Sequence, residues 1–327
     1  HHDISLPVTA ARLALHDHEP SGSAALFAML SMATGIGPAD LSQLAIDDEG
    51  APEHLDSTGH WVRPVLRPPF GWSAQGGHTT QLERVEDHLR LPLPGWIADA
   101  LSRRMAVRPA ARSVGALVGC GPADAIAFLS AWLDPLRTRH PNARLTHGRM
   151  AAALGVELYA RTQDDLVVHT LLGRPEDVPP TGSYYGSMRL GDLRQTYADA
   201  CAALFGDAPY VVPDTRSGLA GSTLVPRAEI MAGFIESMIC RIEAASGRDP
   251  IESHNAFCLY VLWLLMAGTG HRPVQDPFER IELFDLNRKL VCINDKAGPG
   301  RSGRPDLRHR RPLRGPDDRR LRDRLPQ

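Results

Sequence analysis

Twelve consecutive apolar residues, 256–267, constrain this chain more than any other stretch. A helix that crosses a bilayer needs roughly 20 such residues, so this run reads as a helix buried in a soluble core. Gly268-Thr269-Gly270 breaks it, and Arg272 follows at once. Pro273 suits the first turn of a further helix, where a missing N–H leaves nothing unpaired. Two strand-like runs, 281–286 and 289–293, come next, and Lys296 lies beyond them in a Gly-rich turn. An arginine at the end of a buried helix and a lysine delivered by a hairpin can grip a phosphate between them.

The length of 327 residues suggests two domains or one large one, enough for a substantial core. Lys289 and Lys296 are the two lysines among 36 basic residues, and both fall in that one hairpin. The five cysteines are scattered without a CxxC pair, which reads as reduced, cytoplasmic thiols rather than a disulfide framework. No signal peptide or membrane span appears in the sequence. The chain opens at His1-His2 without Met, which reads as a fragment or as the remains of a tag. Charge is uneven: 226–327 carries 18 basic and 14 acidic residues, whereas 1–225 carries 18 and 24.

Residues 1–23 read as a loosely ordered lead-in, and the alternation His16-Asp17-His18-Glu19 reads as a solvated turn rather than a metal site. The stretch 24–44 repeats the design of the apolar run. An apolar helix ends in Thr34-Gly35-Ile36-Gly37-Pro38, aligning without a gap on Thr269-Gly270-His271-Arg272-Pro273, so that Gly37 falls where Arg272 stands. A hairpin-like run at 60–66 follows, holding Arg63, then 89–94 and a helix over 95–104. Downstream, Thr146, His147 and Arg149 open a further helical pattern, and Leu172-Gly173-Arg174 and the pair Tyr184-Tyr185 follow. A Pro/Gly/Ser/Thr-rich stretch, 206–226, reads as a linker to an amphipathic helix over 227–245. Ten arginines and no aromatic residue mark 301–327 as a disordered tail that binds phosphate nonspecifically, beginning at Arg301.

This order of parts resembles the catalytic domain of the tyrosine recombinases, the phage-integrase family. There an apolar helix ends in a Thr-Gly-x-Arg turn with the first catalytic arginine, and a hairpin carries the catalytic lysine. A His-x-x-Arg helix, a Leu-Gly-His turn and the nucleophilic tyrosine then follow. The resemblance implies an α+β fold, mainly α-helical with short β-hairpins, in which 24–205 is a degenerate catalytic-like unit and 227–300 the first half of a second. It assigns catalytic roles to Arg272, Lys296, Arg149 and Tyr185 or Tyr184, and DNA contacts to Arg174, His147, His271 and Arg301. No cofactor or metal is implied; the expected partners are DNA and other recombinase subunits, with no membrane.

The chemistry implied is attack of a tyrosine oxygen on a phosphodiester, leaving a phosphotyrosyl link. A phenol with pKa ~10 is a poor nucleophile at neutral pH, so the transition state must be stabilised by paired arginine forks and the leaving oxygen protonated by a lysine. Neither half of this sequence holds that set. The first offers Arg149 and a tyrosine but has Gly37 for arginine; the second offers Arg272 and Lys296 and ends before a second arginine or tyrosine. Three readings follow: a fragment of an integrase, inactive as this chain; a catalytically dead module that binds DNA or a partner recombinase; and one composite site across the linker. An unrelated helical scaffold or small-molecule enzyme stands outside them. The plain structural readings are that Arg272 caps the carbonyls ending the apolar helix, that Lys296 is a turn lysine, and that Tyr184 and Tyr185 are interface aromatics, whereas Arg149 at a helix start is disfavoured by the dipole unless it holds an anion.

Overall fold

The computed structural model describes residues 2–15, 20–47, 50–65, 80–174, 186–207, 209, 218–222, 225–247, 249–269, 281–288, 290–292 and 310–312. It is mainly helical, with a few short strands. The contacts divide the chain into His1–Pro226 and Arg227–Gln327.

The first unit is built around α2 (Pro20–Thr34). Its residues from Ser23 to Thr34 are all buried, with Leu26, Phe27, Met29 and Leu30 at or below 1% exposure. Burying each such side chain stabilises by ~1.5–3 kcal/mol. A helix apolar on every side needs cover on every side. α1 (His2–Ala14), α4 (Gly95–Val107), α5 (Val114–Val118), α6 (Ala125–Arg139) and α7 (His147–Thr162) all pack on it. α3 (Pro38–Gln43) continues the chain after the turn, while α8 (Asp165–Leu172) and α9 (Leu190–Phe205) close on α7.

A four-stranded sheet flanks the helices. β1 (Ala45–Ile46) runs parallel to β2 (His54–Leu55), β2 antiparallel to β3 (His60–Pro64), and β3 antiparallel to β4 (His88–Pro92). The register pairs Trp61 with Leu91 and Arg63 with Leu89. β5 (Ser187–Arg189) pairs antiparallel with β6 (Leu219–Gly221).

Two expectations for this unit are corrected. The lead-in is helical over α1, because Val8 and Ala11 are buried and Arg12 is tied down. The Arg12 guanidinium donates to Phe205 O (2.7 Å) and lies 5.2 Å from the Trp96 ring centroid. The expected linker contributes β6, since Leu219 and Ala220 are buried and strand pairing satisfies the backbone.

In the second unit α10 (Ala228–Ala245) packs against α11 (Pro250–Thr269), with Phe234 and Trp263 edge-to-face at 5.0 Å. The apolar run thus forms its helix but is not buried as expected: among the described residues of α11 Ala256 is buried, while Phe257 is 54% and Leu259 48% exposed. α10 covers one side of a helix whose sequence is apolar around its whole circumference. A small antiparallel sheet follows, β7 (Phe284–Asp285), β8 (Leu290–Cys292) and β9 (Arg310–Pro312). The tail is therefore not wholly irregular, because Arg310–Pro312 adds to the open edge of β8. Among the described residues no helix is long and apolar enough to cross a membrane.

Candidate functional site

The C-terminal turn of α2 sets the geometry. Thr34 Oγ1 donates to Leu30 O (2.8 Å) and accepts from Ile36 N (3.3 Å), while Ser31 Oγ donates to Ile36 O (2.7 Å). Gly35 adopts φ +71, the left-handed conformation that ends helices. A Cβ on Gly35 would come 2.7 Å from Leu172 Cδ2 and 3.6 Å from Ala151 O, so glycine lets the turn sit against α8 and α7 together. Tyr197 of α9 is fully buried and its hydroxyl donates to Ala33 O (3.0 Å). Burial raises the Tyr197 pKa well above the ordinary phenol value and pushes the neighbouring Cys201 thiol up to about 12. Neither group is poised as a nucleophile.

The end of α8 meets this turn. Asp164 caps α8 at its start, accepting from Leu166 N (2.9 Å) and Val167 N (3.4 Å), and Gly173 closes it at φ +68. Arg174 then reaches back, its Nη2 donating to Gly35 O (3.0 Å). The cation expected to face DNA binds a carbonyl of the helix-ending turn instead.

Arg63 enters the cluster from β3 and is 2% exposed. Its Nη1 donates to Leu171 O, its guanidinium carbon lies 5.2 Å from the Trp61 ring centroid, and a Cβ on Gly173 would come 2.5 Å from its Nη2. Its Nε is buried and finds no hydrogen-bond partner among the described residues. Burial lowers the Arg63 pKa to about 10, partly offset by the charge of Glu53, which accepts from Trp61 Nε1 (2.8 Å). The residue stays protonated at neutral pH, and the carbonyl end of α8 supplies the negative potential a buried cation needs.

α7 begins nearby. Thr146, aligned with the family's histidine, is its N-cap, its Oγ1 accepting from Arg149 N (3.2 Å). A cation at a helix N-terminus is disfavoured by the dipole unless an anion compensates. Arg149 finds that anion on α1, at the surface: its Nη1 donates to Asp3 Oδ2 (3.2 Å) and Arg144 O (3.1 Å). His147 follows the cap and is half-buried. Arg272, His271, Lys296, Tyr184, Tyr185 and Arg301 lie outside the described residues.

The structure therefore brings together the α2 turn, Arg63, the start of α7 and the Leu172-Gly173-Arg174 turn, yet it commits the three arginines to protein acceptors. Sequence reasoning placed Arg63 in the hairpin without a role. The available signal was a lone arginine amid Trp61, Val62 and Val65, a charge in a strand with no polar face.

A separate groove of about 830 Å³ lies along β3, β4 and the segment before β4, and two ion pairs line it. Arg90 bonds Asp56, and Arg84 Nε stands 3.1 Å from Glu86 Oε1. Burial alone would raise the Asp56 pKa. Hydrogen bonds from the Thr58 hydroxyl, His60 N and Arg90 outweigh it and hold the carboxyl below its ordinary value. Among the described residues no group of three or more His, Cys, Asp or Glu could hold a metal ion.

No protein-family model, no curated protein and no solved structure matches this chain.

Proposed function

We propose that the chain is part of a site-specific DNA recombinase of the tyrosine class and that its first unit is a non-catalytic module of that machinery. One observation carries the reading. The segments that the family resemblance aligns in sequence, separated by more than a hundred residues of chain, meet around Gly35, Leu172, Gly173 and Arg63; Arg63 is buried on Leu171 O, while the exposed Arg174 and Arg149 bond Gly35 O and Asp3. Arg63, buried on Leu171 O, has no free face for a phosphate, and Gly37 stands where the resemblance expects the first arginine. Losing one clamp arginine of this kind costs ~10²–10³ in rate. The unit also carries an excess of acid over base, so attraction to DNA falls to residues 226–327 and their arginines from Arg301 onward.

The test uses the full chain with nicked suicide duplexes and with intact duplex at rising salt. The expected result is no covalent adduct together with binding whose logarithm falls linearly with log salt, the slope reporting the phosphates neutralised. A covalent adduct abolished by Tyr185→Phe or Tyr184→Phe overturns the non-catalytic reading. Binding that ignores salt, or no binding at all, overturns the DNA reading and leaves a protein scaffold.

A further inference from the structure

The strongest unassigned chemistry lies on α11, in the second unit. His254 and Cys258 stand four residues apart, one turn of helix, and both are exposed. Cys258 Sγ lies 3.4 Å from His254 Nε2. Zinc takes sulfur at ~2.3 Å and nitrogen at ~2.0–2.1 Å in tetrahedral sites, which sets two such ligands roughly 3.6 Å apart. At 3.4 Å, the separation of a thiol–imidazole hydrogen bond, the pair stands close to the bite of one soft divalent ion. To bind metal the exposed pair exchanges this hydrogen bond for two coordinate bonds, and the thiol releases its proton to the medium.

Two ligands make half a site. Structural zinc is closed by four, and no third His, Cys, Asp or Glu joins this pair among the described residues. The surroundings say where the missing half comes from. Ile251, His254, Cys258, Val261 and Leu265 recur at alternating steps of three and four, the seam spacing of a helix that pairs with another helix. Along the same helix Ile251 is 71% exposed, and Leu259 and Leu262 are also exposed. A helix seam with its ligand pair at two adjacent seam positions is self-complementary across a two-fold axis, where each copy contributes the same residues.

We propose that His254 and Cys258 form a zinc half-site that a second copy of this chain completes, giving a four-ligand site of two cysteines and two histidines between paired α11 helices. Each thiol releases its proton on binding and the metal changes no oxidation state, so the step needs no other reactant. Cys240, exposed on α10, takes no part.

The experiment uses the full chain, stripped of metal and kept reduced with a phosphine. Zinc is titrated while mass is followed by light scattering, and cobalt is titrated while the visible spectrum is recorded. Zinc is expected to double the mass at one ion per two chains, and cobalt to give the intense bands of tetrahedral thiolate coordination. Cys258→Ser and His254→Asn each lose both responses with unchanged far-ultraviolet circular dichroism, whereas Cys240→Ser keeps them. Zinc bound without a change of mass, a zinc-dependent dimer that survives Cys258→Ser and His254→Asn, or no response to either metal overturns the proposal.

Discussion

Replacing Gly173 by alanine probes the meeting of Arg63 with the end of α8. The residue sits at φ +68, and a side chain forced there costs ~1–2 kcal/mol. The new Cβ would stand 2.5 Å from Arg63 Nη2 and 2.7 Å from its Cζ, so the guanidinium must leave Leu171 O. A hydrogen bond to a charged donor is worth ~1.5–3 kcal/mol, giving a total loss of ~2.5–5 kcal/mol. Arg63→Met behaves differently. It leaves Leu171 O bare and ends the contact with Trp61, but it also removes a buried cation. At ~1.4 kcal/mol per pH unit, lowering the Arg63 pKa from 12.5 to about 10 corresponds to a burial cost of about 3 kcal/mol. These effects nearly cancel, so Arg63→Met alone should stay within ~2 kcal/mol of the parent. In that background Gly173→Ala meets a flexible thioether and should cost only the ~1–2 kcal/mol of backbone strain. Urea unfolding of the four proteins then yields a coupling of ~1.5–3 kcal/mol. Additivity within ~0.5 kcal/mol would refute the close approach and the carbonyl-bound role of Arg63.

The remaining expectations concern single contacts. Tyr197→Phe deletes the buried bond to Ala33 O and should cost ~1–2 kcal/mol in urea unfolding. Asp164→Ala removes the cap of α8 and should cost ~1 kcal/mol by the same assay. Arg149→Ala breaks a pair whose side chains are 48% and 36% exposed, so its stability effect should stay below ~1 kcal/mol in 0.15 M salt. Asp56 has a folded pKa below the unfolded value of ~3.9, so its contribution is full above that pH and fades as pH falls through the folded value. Thermal melts between pH 5 and 2 should show a shallower acid decline for Asp56→Asn than for the parent.

Local chemistry made some of this fold readable and left the rest hidden. The end of α2 is legible because glycine after an apolar helix has a single common use, and β3, α4 and the start of α7 carry period and capping signals of the same kind. α1 escaped notice because the ties that order it, Arg12 to Phe205 O and Asp3 to Arg149, join residues far apart in the chain. The apolar run of α11 announces a helix but not its cover, which depends on what packs against it. The fate of the arginines was the least legible feature: a guanidinium bound to a carbonyl and one awaiting a phosphate read the same in sequence.

Gly37 differs from its neighbours in the cluster, for none of the described residues stands within 4 Å of where its Cβ would be. An arginine grafted there would meet Arg63 already buried on Leu171 O, the bond that ties β3 to the end of α8. Reviving such a pocket therefore means freeing that guanidinium as well, so a one-letter reversion leaves the set incomplete.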